Sequence, residues 1–165
     1  MYGGTVPTSS LTSDEEAVWR ALARVVIVLP RLIDAELLLR ENLTLTEYLV
    51  LVVLSESPDR SRRMSDLVAE VPITGSGLTR LMERLERQGM VTRKRAASDG
   101  RGQVAVLTDA GLDRLLRAWP AHLEHVRRVV LANLRELDLP TLTRALNAIA
   151  AHEADQGPTR RRSAD

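Results

Sequence analysis

The stretch from Thr74 to Thr108, TGSGLTRLMERLERQGMVTRKRAASDGRGQVAVLT, leaves few folds open to this chain. Its first part has the period of a helix. At about 100° per residue, Leu78, Leu81, Met82 and Leu85 gather on one side, while Ser76, Thr79, Arg80, Glu83, Arg84 and Arg87 take the other. Thr74 suits the N-cap, because its hydroxyl can accept from an amide of the first turn, and Gly89 suits the left-handed residue that ends a helix. The amide-rich start beside Ser76 and Thr79 would welcome a phosphate. Next, Met90 to Arg95 and Gln103 to Leu107 have β character, joined by the small, turn-forming residues Ala96 to Gly102. Arg93, Lys94, Arg95 and Arg101 put four positive charges on this hairpin, with Asp99 placed to orient the Arg101 guanidinium. An isolated amphipathic helix is usually just a solvated surface element. Followed directly by a basic hairpin, it has the form of a reading head for double-stranded DNA, with the helix in the major groove and the hairpin as a wing.

The same residues resemble the multiple-antibiotic-resistance regulator (MarR) family of bacterial winged-helix transcription factors. The matching text is Met64-Ser65-Asp66-Leu67, Leu78-Thr79-Arg80-Leu81, Leu85-Glu86-Arg87-Gln88-Gly89-Met90-Val91, Asp99-x-Arg101 and Leu107-Thr108-Asp109-x-Gly111, with looser likeness from about Glu15 to His152. Two departures stand out. Gly100 occupies a place where the family often carries arginine, and Gly75 with Gly77 weakens the first turn and leaves fewer side chains there to read bases. The resemblance implies a dimer built by interleaved terminal helices, and a small, often phenolic or anionic effector that changes the spacing of the two heads.

Outside the reading head the chain reads as helical. Ser13-Asp14-Glu15-Glu16 has the pattern of a capping box opening a helix to about Glu41, apolar around much of its circumference and kinked at Pro30. Asn42 suits a terminator, and Thr44-Leu45-Thr46-Glu47 is a second capping box, opening a helix that stops before Ser57-Pro58. Asp59 to Met64 reads as a polar, arginine-bearing connection. A short helix capped by Ser65 then ends before Pro72 and completes a helix-turn-helix with the recognition helix. Thr108 should cap a long helix whose apolar positions Leu112, Leu116, Trp119, Leu123, Val126, Val130 and Leu134 step by three or four, with a bend at Pro120. Asp138-Leu139-Pro140 reads as a break before a last helix from Thr141 to about His152. The fold class expected is mainly α with a small β-hairpin wing: a winged helix-turn-helix plus a helical dimerisation region. Its parts are an N-terminus without order (1–12), the dimerisation helices (13–42 and 109–153), the DNA-binding domain (43–108) and a basic tail without order (154–165), which includes Arg160-Arg161-Arg162.

Charge supports the same reading. Residues 1–58 hold 4 basic and 8 acidic groups, residues 59–103 hold 10 and 6, and residues 104–165 hold 9 and 8, so the positive excess sits in the reading head. With no cysteine there is no disulfide framework, thiolate metal site or cysteine redox switch, the last being a mechanism some MarR-like proteins use. The polar, uncharged start MYGGTVPTSS and the short apolar runs point to a cytoplasmic protein with neither signal peptide nor membrane span.

A single head cannot cover the apolar sides of the flanking helices, so a homodimer is expected, and its two-fold axis calls for an inverted-repeat operator. The candidate DNA-binding residues are Thr74, Ser76, Gly77, Thr79, Arg80, Arg84, Lys94, Arg95, Asp99 and Arg101. Arg80 and Arg84 are placed for bases or nearby phosphates, Lys94 and Arg95 for the backbone, and Arg101 for the minor groove. Glu83 is expected to orient Arg80 or Arg87 rather than to accept from a cytosine amine. His122 and His125 have the spacing to share a metal, but structural roles fit better because no acidic partner accompanies them in sequence. Trp19, Tyr48 and Trp119 either line a pocket for a small aromatic or anionic effector or pack in the core, and packing is favoured in a chain without phenylalanine. No cofactor is expected and no enzyme motif is present, neither a phosphate loop nor an activated nucleophile. The competing reading is a winged-helix module that binds protein instead of DNA; it would favour apolar residues on the outer helix face.

Overall fold

The structure is a computed structural model that describes residues 11–95 and 102–155, the last four of these by their backbone alone. The chain divides into one unit through His125 and a second from Val126. Its helices are α1 (Ser13–Glu41), α2 (Leu45–Glu56), α3 (Met64–Glu70), α4 (Gly75–Arg87), α5 (Asp109–Val129) and α6 (Leu139–Asp155). Its strands are β1 (Ser61–Arg63), β2 (Val91–Arg95) and β3 (Gln103–Leu107), forming an antiparallel sheet in the order β1-β3-β2. No helix among the described residues is long and apolar enough to cross a membrane.

The core of the first unit forms where α2 meets the helix-turn-helix. Val50, Leu51 and Leu54 of α2, Leu67 of α3, and Leu78, Met82 and Leu85 of α4 are completely buried. Leu37 and Leu43 join them from α1 and the turn after it, Val91, Ala105 and Leu107 from the sheet, and Leu115 and Ala118 from α5. Local chemistry bounds the elements as well. Asn42 adopts the left-handed conformation at φ 49° and ends α1, and Glu47 and Thr44 form the reciprocal capping box of α2. Gly89, at φ 71°, makes the left-handed exit from α4.

Several boundaries differ from the sequence reading. The cap of α1 is Thr12, paired reciprocally with Glu15, one residue before the expected Ser13. The N-cap of α3 is Arg63, without a side-chain bond, and the Ser65 hydroxyl donates instead to Asp66. Ser61 to Arg63, read as a connection, is a third strand: its backbone pairs with β3 in the register Ser61 with Val106 through Arg63 with Val104. Three polar residues carry no strand pattern of their own; the free edge of β3 imposes it. Helix α5 stops at Val129, and a 3-10 turn covers Leu131–Leu134, so the expected seam is interrupted. The residues of α5 that turn inward are Gly111, Leu115, Ala118 and His125, while Leu116 and Trp119 face outward. Asp138 caps where a break was expected, its carboxylate accepting from the amide of Thr141 at 3.1 Å, so α6 begins at Leu139. Pro30 and Pro120 both lie inside continuous helices, as the sequence reading has them.

Thr108 clamps the start of α5 to the exit of α4. Its hydroxyl lies 2.7 Å from the Gly89 carbonyl and 3.0 Å from that of Met90, and it accepts from the Gly111 amide at 3.0 Å. This approach is so close that a Cβ on Gly111 would sit 2.1 Å from the Met90 carbonyl oxygen and 2.7 Å from Leu107 Cδ1. Gly75, by contrast, faces open space. Gly111→Ala is expected to cost about 1–3 kcal/mol or more in denaturant unfolding, as overpacking against backbone does, whereas Gly75→Ala should leave the midpoint unchanged or raise it. Equal midpoints for the two variants would contradict the close approach.

Candidate nucleic-acid interface

Helix α4 separates its two faces cleanly. Leu78, Leu81, Met82 and Leu85 are at most 5 % exposed, and Ser76, Thr79, Arg80, Glu83, Arg84 and Arg87 are all exposed, as the helical period predicts. The Thr74 hydroxyl caps the helix by accepting from the Gly77 amide at 3.2 Å and lies 3.4 Å from the Ser76 hydroxyl. A Cβ on Gly77 would come within 2.9 Å of Ile73 and 3.1 Å of the Thr74 hydroxyl, so glycine here is what lets the cap close. Thr79, which is exposed, donates its hydroxyl back to the Gly75 carbonyl at 3.1 Å, and the oxygen's acceptor capacity is not used by that bond.

Eight of the cations fall into two groups. Arg60 pairs with Asp109, Arg62 with Glu70, Arg84 with Glu47 and Arg93 with Glu86. Among the described residues, Arg80, Arg87, Lys94 and Arg95 take part in no ion pair, and all four are exposed. Arg93 therefore departs from the sequence reading, which counted it among the wing charges. Its backbone amide and its Nε each lie 2.8 Å from an oxygen of Glu86, and its Nη2 lies 2.7 Å away, so the pair fastens the end of α4 to β2. The Arg93 hydrogen bond holds the Glu86 carboxyl below its ordinary value, and the carboxylate in turn raises the guanidinium. Glu83 forms no ion pair with Arg80 or Arg87 among the described residues; the carboxylate that orients an arginine of α4 is Glu47, from another helix. Asp99 and Arg101 lie outside the described residues.

The sequence does not mark Glu86 and Glu47 as parts of this surface. A charged residue on the exposed side of a helix is ordinarily solvated, and Glu47 carried the signature of a cap, which it also is. The separations, 7 residues for Glu86 to Arg93 and 37 for Glu47 to Arg84, carry no local signal.

A second cluster lies behind the reading head. The Tyr48 ring packs at 4.6 Å on that of His122, and the Trp119 ring lies 6.5 Å from His122. Tyr48 is in the core, whereas Trp19 is 61 % and Trp119 43 % exposed, so the packing expected for all three aromatics holds within one chain only for Tyr48. His125 does have an acidic neighbour, Glu36 at 3.6 Å, which folding supplies from α1. No group of three or more metal-ligating side chains occurs among the described residues. Burial pushes the Tyr48 hydroxyl up to about 12, with Glu56 adding to the shift. Burial also lowers His122, and His125 acts in the same direction.

The neutral His122 ring is thus favoured in the folded chain, and the unfolded chain binds the proton more readily. Stability should therefore fall as the pH drops below about 6.5, the unfolded value. His122→Gln is expected to flatten that part of a thermal-unfolding profile taken from about pH 7.5 to about pH 5.5. A variant with the same slope as the wild type would remove His122 as its cause.

A family model described as the MarR family matches residues 41–102. Among solved structures, the chain is similar to Sco3205, a MarR family transcriptional regulator from Streptomyces coelicolor in complex with DNA. The two share 35% identity over 87% of this chain and 93% of that one, with a TM-score of 0.79. It is similar also to AbsC, a MarR family transcriptional regulator from the same organism, at 36% identity, covering 90% of this chain and 100% of that one with a TM-score of 0.80. A curated relative, the uncharacterized HTH-type transcriptional regulator YdgJ of Bacillus subtilis, is 35% identical over 94 residues. That match spans 54% of this chain and 57% of the Bacillus protein.

Proposed function

Since the chain belongs to the MarR family of transcriptional regulators, we propose that it binds double-stranded DNA sequence-specifically as a homodimer, represses by covering a promoter, and is released by a small effector. The observation that carries this reading is the outward face of α4. Thr79, Arg80 and Arg84 stand there on a helix whose opposite side is locked into the core. A structural neighbour of this fold, Sco3205, is in complex with DNA. In the proposed complex α4 enters the major groove, Arg80 and Arg84 reach base edges, and Ser76, Thr79 and the amides after Thr74 meet phosphate. Lys94 and Arg95 lie along the backbone. Arg101, oriented by Asp99, reaches the minor groove.

The distribution of apolar surface favours DNA over a protein partner at the head. Every large hydrophobic residue exposed among the described residues lies either at or before Leu39 or at or after Leu116, so none lies on the helix-turn-helix or the sheet. A docking module would show the reverse. The same distribution supports the dimer: Val18, Val25, Val26, Ile27, Leu32 and Leu39 on α1, and Leu139, Leu146 and Ile149 on α6, are surfaces that a second copy would cover. An effector, of small aromatic or anionic type, is supported by the Tyr48 hydroxyl and His122 Nδ1, which are buried without a hydrogen-bond partner among the described residues.

Arg80→Ala is expected to weaken binding to the preferred duplex by about 1–3 kcal/mol at fixed salt, and more for that duplex than for a scrambled one. Wild-type affinity should fall linearly with the logarithm of salt concentration. Binding that ignores both salt and Arg80 would contradict the reading.

A further inference from the structure

Glu47 does two jobs with its two oxygens. One oxygen, Oε2, accepts from the backbone amide and the hydroxyl of Thr44, at 2.7 and 2.8 Å, and closes the cap of α2. The other, Oε1, accepts from Nε of Arg84 at 2.6 Å. The carboxylate is buried, at 4 % exposure, whereas the Arg84 side chain is 46 % exposed. Asp34 of α1 secures the same corner by accepting from the Leu45 amide at 2.7 Å.

This arrangement fixes one edge of a planar group and leaves the other open. With Nε held, the guanidinium can rotate little, and its two terminal nitrogens carry donors that no other group among the described residues engages. The cleft beside it, lined in part by Asp34, Thr44, Arg80 and Arg84, is open to solvent on the exposed side of α4. A paired terminal edge is the geometry that meets a guanine from the major groove.

We infer that Glu47 is a positioning residue for sequence discrimination: through the Nε contact it presents the terminal edge of Arg84 to one base pair of each half-site. The inference rests on the DNA-reading role proposed above. It separates Arg84 from Arg80, which no carboxylate holds among the described residues and which is therefore the more tolerant of the two in what it contacts.

A glutamine at this position cannot do both jobs, because an amide has one oxygen. If that oxygen serves Thr44, the amide nitrogen faces the Nε–H of Arg84, donor against donor. The test is selection from a pool of randomised duplexes by the full-length wild type, Glu47→Gln, Arg84→Ala and the double variant, with thermal unfolding of each. Glu47→Gln and Arg84→Ala should both lose preference, by about tenfold or more, at the same symmetric pair of positions. The double variant should lose no more than Arg84→Ala alone, and the salt dependence of Glu47→Gln on a random duplex should match the wild type. Arg84→Lys, which keeps the charge but lacks the fork, should behave as Arg84→Ala and decides the matter if Glu47→Gln does not fold. A folded Glu47→Gln that selects the wild-type motif, or an Arg84→Lys that does, overturns the inference alone. A wild type that selects no motif overturns the DNA-reading role and this inference with it.

Discussion

Leu78, Met82 and Leu85 are completely buried and Leu81 nearly so, which leaves α4 a single way to lie on α2, α3 and the sheet. Each such side chain contributes roughly 1.5–3 kcal/mol on burial. Rotating the helix by even one residue's turn would expose part of that set, and the rotational setting of α4 is correspondingly firm. Its polar face inherits that rigidity. Ser76, Thr79, Arg80 and Arg84 point outward because the leucines opposite them point in, and a reading helix needs that constancy more than it needs affinity.

Around α4 the chain adds fastenings from several neighbouring elements. Thr74 closes its start, Gly89 and the Thr108 clamp set its exit, and Glu86 and Glu47 tie its last turn to β2, through Arg93, and to α2, through Arg84. Of the nine arginines between residues 59 and 103, Arg60, Arg62, Arg84 and Arg93 are engaged in ion pairs, the last two of them in fastening α4. Arg80, Arg87, Lys94 and Arg95, which take part in no ion pair among the described residues, form a smaller set than the raw charge balance suggests, on elements that Arg84 and Arg93 fasten. Glu47 and Tyr48, adjacent on α2, look two ways: one holds Arg84, the other packs on His122 of α5.

The parts legible in the sequence are those where one segment carries its own instruction. The apolar period of α4, the Thr44 and Thr108 caps and the left-handed Asn42 and Gly89 are of this kind. Where two local solutions compete, sequence alone cannot choose: Thr12 with Glu15 and Ser13 with Glu16 satisfy the same capping pattern, and the folded chain uses the first. Where an element is imposed from outside, no local signal exists. Ser61 to Arg63 become a strand only because β3 offers an unpaired edge, and the partners of Arg84, Arg93 and His125 arrive through tertiary folding.

The central claim is that two copies of this rigidly set helix face one duplex about a two-fold axis. Hydroxyl-radical protection of the DNA upstream of the chain's own gene tests it directly. Two protected patches related by inverted symmetry are expected, their centres about 34 Å apart along the duplex. A single patch, or uniform protection without symmetry at low protein concentration, would contradict it.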